Sequence, residues 1–206
     1  MPSQLANASI SASALTATSL NTMAGTADGR AALNYVIGCA LPTGVNVTAT
    51  VGGIPYTFQG SVGLAAGWQS RALTVTEQHW VSSCTLSRLN QNGVVVSISM
   101  RGAATQLVST SEELSSYTIQ EGGFFGNIFA GKDYYVAACQ GTDASNADRQ
   151  CAQLGDGINL KTKCGIDYAG MCADVCNTDA SPYGGCLGLN GVGYTEVVTT
   201  YLQVGG

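Results

Sequence analysis

Eight cysteines are the side chains with the most evident chemistry in this 206-residue chain. Cysteines pair as disulfides, bind metals or act as thiolate nucleophiles. A zinc site usually combines closely spaced CxxC pairs with histidines, but the shortest spacing here is Cys172-x-x-x-Cys176 and His79 is the only histidine. The even number and these spacings predict a disulfide framework made in an oxidising compartment. Its members are Cys39, Cys84, Cys139, Cys151, Cys164, Cys172, Cys176 and Cys186.

His79 is the candidate general base of a secreted hydrolase acting on polysaccharide or peptide. Glu77, two residues earlier in the same predicted helix, does not share its face and so is badly placed to orient the imidazole. No G-x-S-x-G nucleophile motif occurs, and nothing in the sequence selects a serine for a triad. A packing or surface role for His79 is therefore favoured over catalysis.

Carboxylates offer a second route to hydrolysis, because a glycosidase needs two of them about 5–10 Å apart. Glu121 is singled out, since Gly122 and Gly123 after it would let a ligand approach the backbone. Solvated loop charges are the favoured interpretation of Glu112 and Glu113, and Asp133 and Asp167 are candidates only because they are acidic. His79 and Glu121 are thus the catalytic candidates, although the sequence favours a protein that is not an enzyme.

Calcium is the only cofactor that the residue pattern suggests. Asp143, Asn146 and Asp148 crowd one predicted loop, and Asp156 and Asn159 another. Oxygen-rich loops suit calcium, but neither loop matches the D-x-[DN]-x-[DN]-G spacing of an EF-hand. Ordinary turn residues are the favoured interpretation, and a calcium-dependent adhesion module is the third functional alternative.

Composition narrows the partners and the compartment. Eight basic against thirteen acidic residues give a net charge of −5, without the basic patch that nucleic-acid binding needs. No apolar run approaches the ~18 residues of a membrane span. Scarce lysine and abundant small residues favour a secreted or cell-surface protein, in a mature form without its signal peptide. Asn7 and Asn46 match the glycosylation sequon, which is as easily a chance match here.

Two helices and one hairpin carry clear local signals. Residues 28–41 show an apolar stripe at helical spacing, and residues 74–90 open with a Thr74-x-x-Glu77 capping box. Residues 45–59 alternate in polarity around Gly52-Gly53, which predicts a tight hairpin. Further strands are predicted over 94–101 and 194–204, and strands or a buried turn over 124–130 and 134–139. Loops are predicted over 103–123 and 140–192, with a short helix near 168–176.

The two predicted helices over 28–41 and 74–90 each contain a single cysteine, which predicts a disulfide between Cys39 and Cys84. The other six cysteines leave several pairings open, of which Cys172 with Cys176 is the least favoured if that stretch is helical. Their expected purpose is to hold a region that is too poor in apolar residues to build its own core.

Residues 1–25 form a segment of low complexity in which apolar residues recur every five positions, at Leu5, Ile10, Leu15 and Leu20. This period loosely resembles a single coil of the pentapeptide-repeat proteins. Such a coil needs a stacked neighbour, so the segment is either a tail or docks on the body or on another subunit. A homo-oligomer formed through Leu5 to Leu20 is the corresponding prediction.

The expected architecture is a repeat-like segment over 1–25 followed by one globular domain over 26–206. Its fold class is α+β, with a mixed or antiparallel sheet, two N-terminal helices and a loop-rich C-terminal region. Within that region the cysteine-rich subregion spans residues 139–192.

Four segments together are similar to exported, cysteine-containing proteins of the myxobacterial type. They are ALNYVIGCALPTG, GLAAGWQSRALTVTEQHWVSSCTLSRLN, VVVSISMRG and EGGFFGNIF. The resemblance implies export and one recurring domain, and it carries no activity or catalytic residues.

The favoured function is a secreted, disulfide-stabilised, non-catalytic structural or binding protein, such as a subunit of an extracellular matrix, surface or filament. Aromatic residues near the predicted strands would serve a sugar or protein ligand, although a core role is favoured for most of them: Phe124, Phe125, Tyr134 and Tyr135.

Overall fold

The computed structural model describes residues 5, 7–90, 95–147, 149–155, 158–177 and 182–204. Over these residues it contains five α-helices and nine strands, and the α+β prediction is confirmed. The helices are α1 (Ala17–Met23), α2 (Ala27–Ala40), α3 (Val75–Ser87), α4 (Ser111–Ser116) and α5 (Cys172–Val175). The strands are β1 (Asn46–Val51), β2 (Ile54–Gln59), β3 (Ile98–Arg101), β4 (Ile119–Asn127), β5 (Tyr135–Gln140), β6 (Asp167–Met171), β7 (Cys186–Leu187), β8 (Gly193–Tyr194) and β9 (Val198–Leu202).

The main sheet has five strands in the order β3-β9-β4-β5-β6. Its pairs are antiparallel except β5 with β6, which run parallel, so the sheet is mixed. Helix α3 packs against β4, and α2 packs against α3 and β2. The larger core lies between the helices and one face of the sheet, and a second core cluster that includes Phe125, Tyr135 and Ala137 covers the opposite face.

The two long helices and the hairpin agree with their local sequence signals. Helix α2 buries Leu33, Val36 and Ile37 completely. Strands β1 and β2 pair antiparallel around Gly52 and Gly53, whose positive φ angles of 60° and 82° suit glycine in a tight turn.

Helix α3 buries three serines as well as apolar side chains, because the hydroxyls of Ser82, Ser83 and Ser87 find backbone partners. Ser82 Oγ donates to the Gln78 carbonyl at 2.6 Å and accepts from the Ile128 N–H at 3.0 Å. Ser87 Oγ donates to the Cys84 carbonyl at 2.8 Å. Burying a hydroxyl costs little free energy when its hydrogen bonds are made inside the protein. Helix α3 can therefore pack in the core without a continuous apolar face.

The predicted loop over 103–123 is wrong for two stretches. Residues 111–116 form α4, and β4 begins at Ile119. The early residues of β4 include a charged residue and two glycines, which strands rarely favour, and long-range pairing overrides that preference. Strand β3 is shorter than predicted, as is β9, while the predicted helix near 168–176 is divided between β6 and α5.

The N-terminal segment packs on its own chain. The Trp68 indole donates to the Ser13 carbonyl at 2.8 Å, and the Leu15 N–H donates to the Trp68 carbonyl at 3.0 Å. Leu5 and Leu20 are buried, and residues 17–23 are helical. The apolar side chains predicted to bind another subunit are thus engaged within one protomer, and a homo-oligomer remains a prediction.

Four disulfides are present: Cys39–Cys84, Cys139–Cys172, Cys151–Cys164 and Cys176–Cys186. The first joins α2 to α3, which is the pairing that the two single-cysteine helices predict. The other three lie within the predicted cysteine-rich subregion. None of the described helices is long and apolar enough to cross a membrane.

Candidate functional site

His79 lies on α3 beside a carboxylate that is distant in sequence. Its Nδ1 is 3.2 Å from Glu196 Oε2, and the two side chains are only 16% and 13% exposed. The Tyr194 ring packs against the imidazole with 5.2 Å between ring centroids. Glu77 instead binds Arg71, as its place on a different face of the helix suggests.

Sequence reasoning missed Glu196 because 117 positions separate it from His79. Only the strand order, which brings the connection before β9 over α3, places the two together. A carboxylate on Nδ1 holds an imidazole in one orientation and leaves Nε2 available as a base. Among the described residues, however, Glu196 is the one hydrogen-bond partner of the His79 ring, so no hydroxyl nucleophile completes a triad.

Glu121 is completely buried in β4 and bound on both carboxylate oxygens. Oε2 accepts from Thr200 Oγ1 at 2.7 Å and pairs with the Arg149 guanidinium, while Oε1 accepts from the Cys151 N–H at 2.8 Å. Arg149 also donates to the carbonyls of Ser87 and Leu89. This carboxylate joins β4, β9 and the end of α3, and it is enclosed away from any substrate.

The glycines after Glu121 serve packing between strands. A Cβ on Gly122 would lie 2.2 Å from the Cys139 carbonyl oxygen and 2.5 Å from the Ala152 side chain. The backbone of β5 therefore occupies the space beside Gly122 where the sequence analysis predicts the approach of a ligand.

The remaining acidic candidates lie in three separate elements. Glu112 and Glu113 lie in the first turn of α4, Asp133 is exposed, and Asp167 pairs with Lys161. The predicted aromatic face is largely core, since Phe124 and Phe125 are fully buried and Tyr135 is nearly so. Tyr134 is also partly buried, and this burial raises the pKa of its hydroxyl to about 12.

The calcium candidates are described only in part. Asp143 Oδ2 accepts from the Gln120 N–H at 3.4 Å, whereas Asp148 and Asp156 lie outside the described residues. Within the described ranges, the one group of three or more metal-ligating side chains is Cys139, Cys172 and Cys176. These sulfurs belong to disulfides and are not free ligands.

A cavity of about 750 Å³ lies between α2, the end of α3 and β3. Its polar lining residues are Asn34, Tyr35, Ser61, Arg88, Asn90 and Arg149, and its apolar ones are Ala31, Val62, Val95, Val96, Ile98 and Met100. The volume falls within the range of small-molecule sites, about 300–1,000 Å³. It combines an apolar wall with two arginine residues, of which Arg149 has its guanidinium buried against Glu121.

Arg88 is the unusual member of this lining. It is half-buried, and Nη1 lies 4.0 Å from the Cys39 sulfur, a weak acceptor. Arg149 has Glu121 as its counter-ion, whereas Arg88 forms no ion pair with any described carboxylate. Burial lowers the pKa of the Arg88 guanidinium, and the nearby Tyr35 hydroxyl partly offsets that effect. A cation in this position favours a bound anion.

Gly38 makes room for this guanidinium. A Cβ at Gly38 would lie 2.7 Å from Arg88 Nη1, closer than a side chain and a guanidinium can approach. The absence of a side chain at Gly38 thus leaves space on α2 for the Arg88 guanidinium.

Comparison of the chain with protein-family models, with curated proteins and with solved structures finds no match. The resemblance to exported proteins of the myxobacterial type stays a prediction. Function is therefore inferred from the geometry of this chain.

Proposed function

We propose that the protein is a disulfide-stabilised extracellular binding protein without catalytic activity, and that its ligand occupies the cavity beside Arg88. The observation that supports this function is a half-buried guanidinium without a carboxylate partner among the described residues, inside a cavity of about 750 Å³. Removing a cation from water is costly unless a counter-charge binds it. An anionic ligand would supply that charge.

The lining also suggests the chemical class of the ligand. Val62, Val96, Ile98 and Met100 are half-buried side chains that present apolar surface to the cavity. Arg88 offers a planar pair of N–H donors that matches a carboxylate. The proposed ligand is a small organic acid with an apolar part, held by its carboxylate at Arg88 and by its hydrocarbon on the valine, isoleucine and methionine side chains.

Calorimetric titration with decanoate, using decanol as an uncharged control, tests this proposal. We expect decanoate to bind and Arg88→Gln to weaken it about 10- to 100-fold, because a hydrogen-bonded charge contributes roughly 1.5–3 kcal/mol. Gly38→Ala should weaken it too, since the added methyl displaces the guanidinium.

Arg101→Gln is the matched control, because Arg101 is on the same strand as Met100 but contacts the Tyr201 ring and the Tyr117 carbonyl instead of the cavity. Equal affinity of the Arg88→Gln and Arg101→Gln variants for decanoate would refute the site. Equal binding of decanol and decanoate would refute the role of the charge.

A secreted hydrolase is the second candidate, favoured by the contact between His79 and Glu196. It requires a nucleophile or an activated water that the His79 ring could reach with Nε2. Hydrolysis of a polysaccharide or peptide mixture that disappears in both His79→Gln and Glu196→Gln variants would establish it in place of the binding function.

A further inference from the structure

Two disulfides of the cysteine-rich subregion lie in contact with each other. The sulfur of Cys139, which is bonded to Cys172, is 3.3 Å from the sulfur of Cys176, which is bonded to Cys186. The Cys139, Cys172 and Cys176 sulfurs all lie within 4.8 Å of one another. We propose that these four cysteines form a thiol–disulfide exchange centre in which Cys139 pairs with either Cys172 or Cys176.

The fold brings the two alternative partners to the same sulfur. Cys172 is the first residue of α5 and Cys176 directly follows its last residue, so the two are one helical turn apart on the same side. Cys139 faces them from β5, which pairs with β6 immediately before α5. A short helix therefore presents two sulfurs to one strand.

Exposure decides where an external thiol enters. Cys139 and Cys172 are fully buried and Cys186 is nearly so, whereas Cys176 is half-buried. Exchange proceeds by attack of a thiolate on an accessible disulfide sulfur. Cys176 is thus the entry point, and the buried bond between Cys139 and Cys172 is reached only from inside the protein.

The exchange balances with a small-molecule thiol as reductant. A thiolate attacks Cys176 Sγ, the bond to Cys186 breaks, and Cys186 leaves as a thiolate that takes up a proton. A second thiolate attacks the external sulfur of this mixed disulfide, which releases the oxidised small-molecule disulfide and the Cys176 thiolate. Cys176 then attacks Cys139 Sγ, forming the bond between Cys139 and Cys176 and releasing Cys172 as a thiol after protonation.

The last attack needs a rotation of one side chain. A thiolate approaches along the axis of the disulfide that it breaks, which would place the Cys172 and Cys176 sulfurs farther apart than the observed limit of 4.8 Å. While Cys176 is bonded to Cys186 its sulfur is held off this axis. Reduction of that bond frees the side chain to rotate, so the first step enables the second.

Limited reduction of the native protein with dithiothreitol, acid quenching and alkylation with N-ethylmaleimide tests the proposal. Cleavage at Asp174 and Asp179 separates the three C-terminal members of the centre for peptide mapping. We expect a new cross-link between Cys139 and Cys176, with labels on Cys172 and Cys186. Label on Cys176 and Cys186 with the bond between Cys139 and Cys172 intact at every level of partial reduction would overturn it.

A cysteine variant tests the alternative pair directly. Cys172→Ala/Cys186→Ala leaves Cys139 and Cys176 as the only possible pair of the centre, and we expect it to oxidise to that disulfide. Cys151→Ala/Cys186→Ala is the control, because the Cys164 sulfur lies outside the cluster of three and should not pair with Cys176. Two alkylatable thiols in the first variant after oxidation would contradict the exchange centre.

Discussion

Glu121 is interpreted differently from the sequence and from the structure. Next to two glycines it looks like an exposed functional acid, but the pairing of β4 with β9 shifts register between Gln120 and Gly122. A bulge at this point re-aims the intervening side chain, and Glu121 enters the interior to meet Arg149. The functional candidate is therefore a structural ion pair.

Removing the charge of Glu121 should be strongly destabilising. Glu121→Gln keeps the shape but leaves the Arg149 cation buried, at 4% exposure, without its counter-ion. Breaking a buried pair in this way costs about 3–5 kcal/mol. Urea denaturation with intact disulfides measures the change in the free energy of unfolding.

Glu112→Gln is the control for that measurement, since Glu112 is exposed and a surface change is expected to stay within about 0.5 kcal/mol. A loss at Glu121 as small as the loss at Glu112 would mean that the pair is not structural.

At the scale of the element, helix α3 begins where its sequence predicts. Thr74 Oγ1 accepts from the Glu77 N–H at 3.3 Å, and Glu77 Oε2 accepts from the Thr74 N–H at 2.9 Å. The Arg71 guanidinium donates to both oxygens of Glu77 at 2.6 Å. The Arg71 hydrogen bonds, with those from Thr74, lower the pKa of Glu77 from 4.5 to about 2.

This shift makes the start of α3 sensitive to acid. Because the folded pKa of Glu77 is below its unfolded value, the carboxylate stabilises the fold fully above about pH 4.5, and the contribution is lost as pH falls towards 2. We expect Glu77→Gln to lower the free energy of unfolding at pH 7 and to have a progressively smaller effect between pH 4.5 and pH 2. Urea denaturation of both proteins across this range measures it, and an unchanged difference at pH 7 and pH 2.5 would contradict the assignment.

Elements with local signals could be predicted from sequence, whereas elements fixed by distant partners could not. The capping box of α3 and the paired glycines of the hairpin act within a few residues, so sequence spacing suffices. Strand β4 begins with residues whose burial depends on Arg149, nearly thirty positions later. Helix α4 is short and buries no residue, so it lacks the apolar period that reveals a helix.

The same distinction holds for the candidate sites. The disulfide between Cys39 and Cys84 could be predicted because each of two locally recognisable helices contains one cysteine, which suggests that the two cysteines pair. The contact of His79 with Glu196 and the cavity beside Arg88 need the strand order and the packing of α2 on α3, which no local pattern encodes. The sequence shows only the residue types, a single histidine and an arginine in an acidic chain, and not their partners in the fold.

At the scale of the whole molecule, the N-terminal segment raises the question of whether its apolar residues pack on their own chain or on another subunit. Leu20 and Met23 of α1 are each 3% exposed, and the Asn21 side chain accepts from the Thr50 N–H of the hairpin at 2.7 Å. The segment thus closes the core over α2 and β1. Its buried apolar residues belong to the core of their own chain.

Leu20→Ala separates these two roles. If Leu20 belongs to the core of its own chain, the variant should lose about 2–5 kcal/mol of unfolding free energy, and its sedimentation mass should equal that of the unmodified protein. Thr18→Ala, on the exposed face of the same helix, should change neither quantity. A variant of unchanged stability whose sedimentation mass falls from a multiple of the chain mass to 21.0 kDa would instead place Leu20 in an interface between subunits.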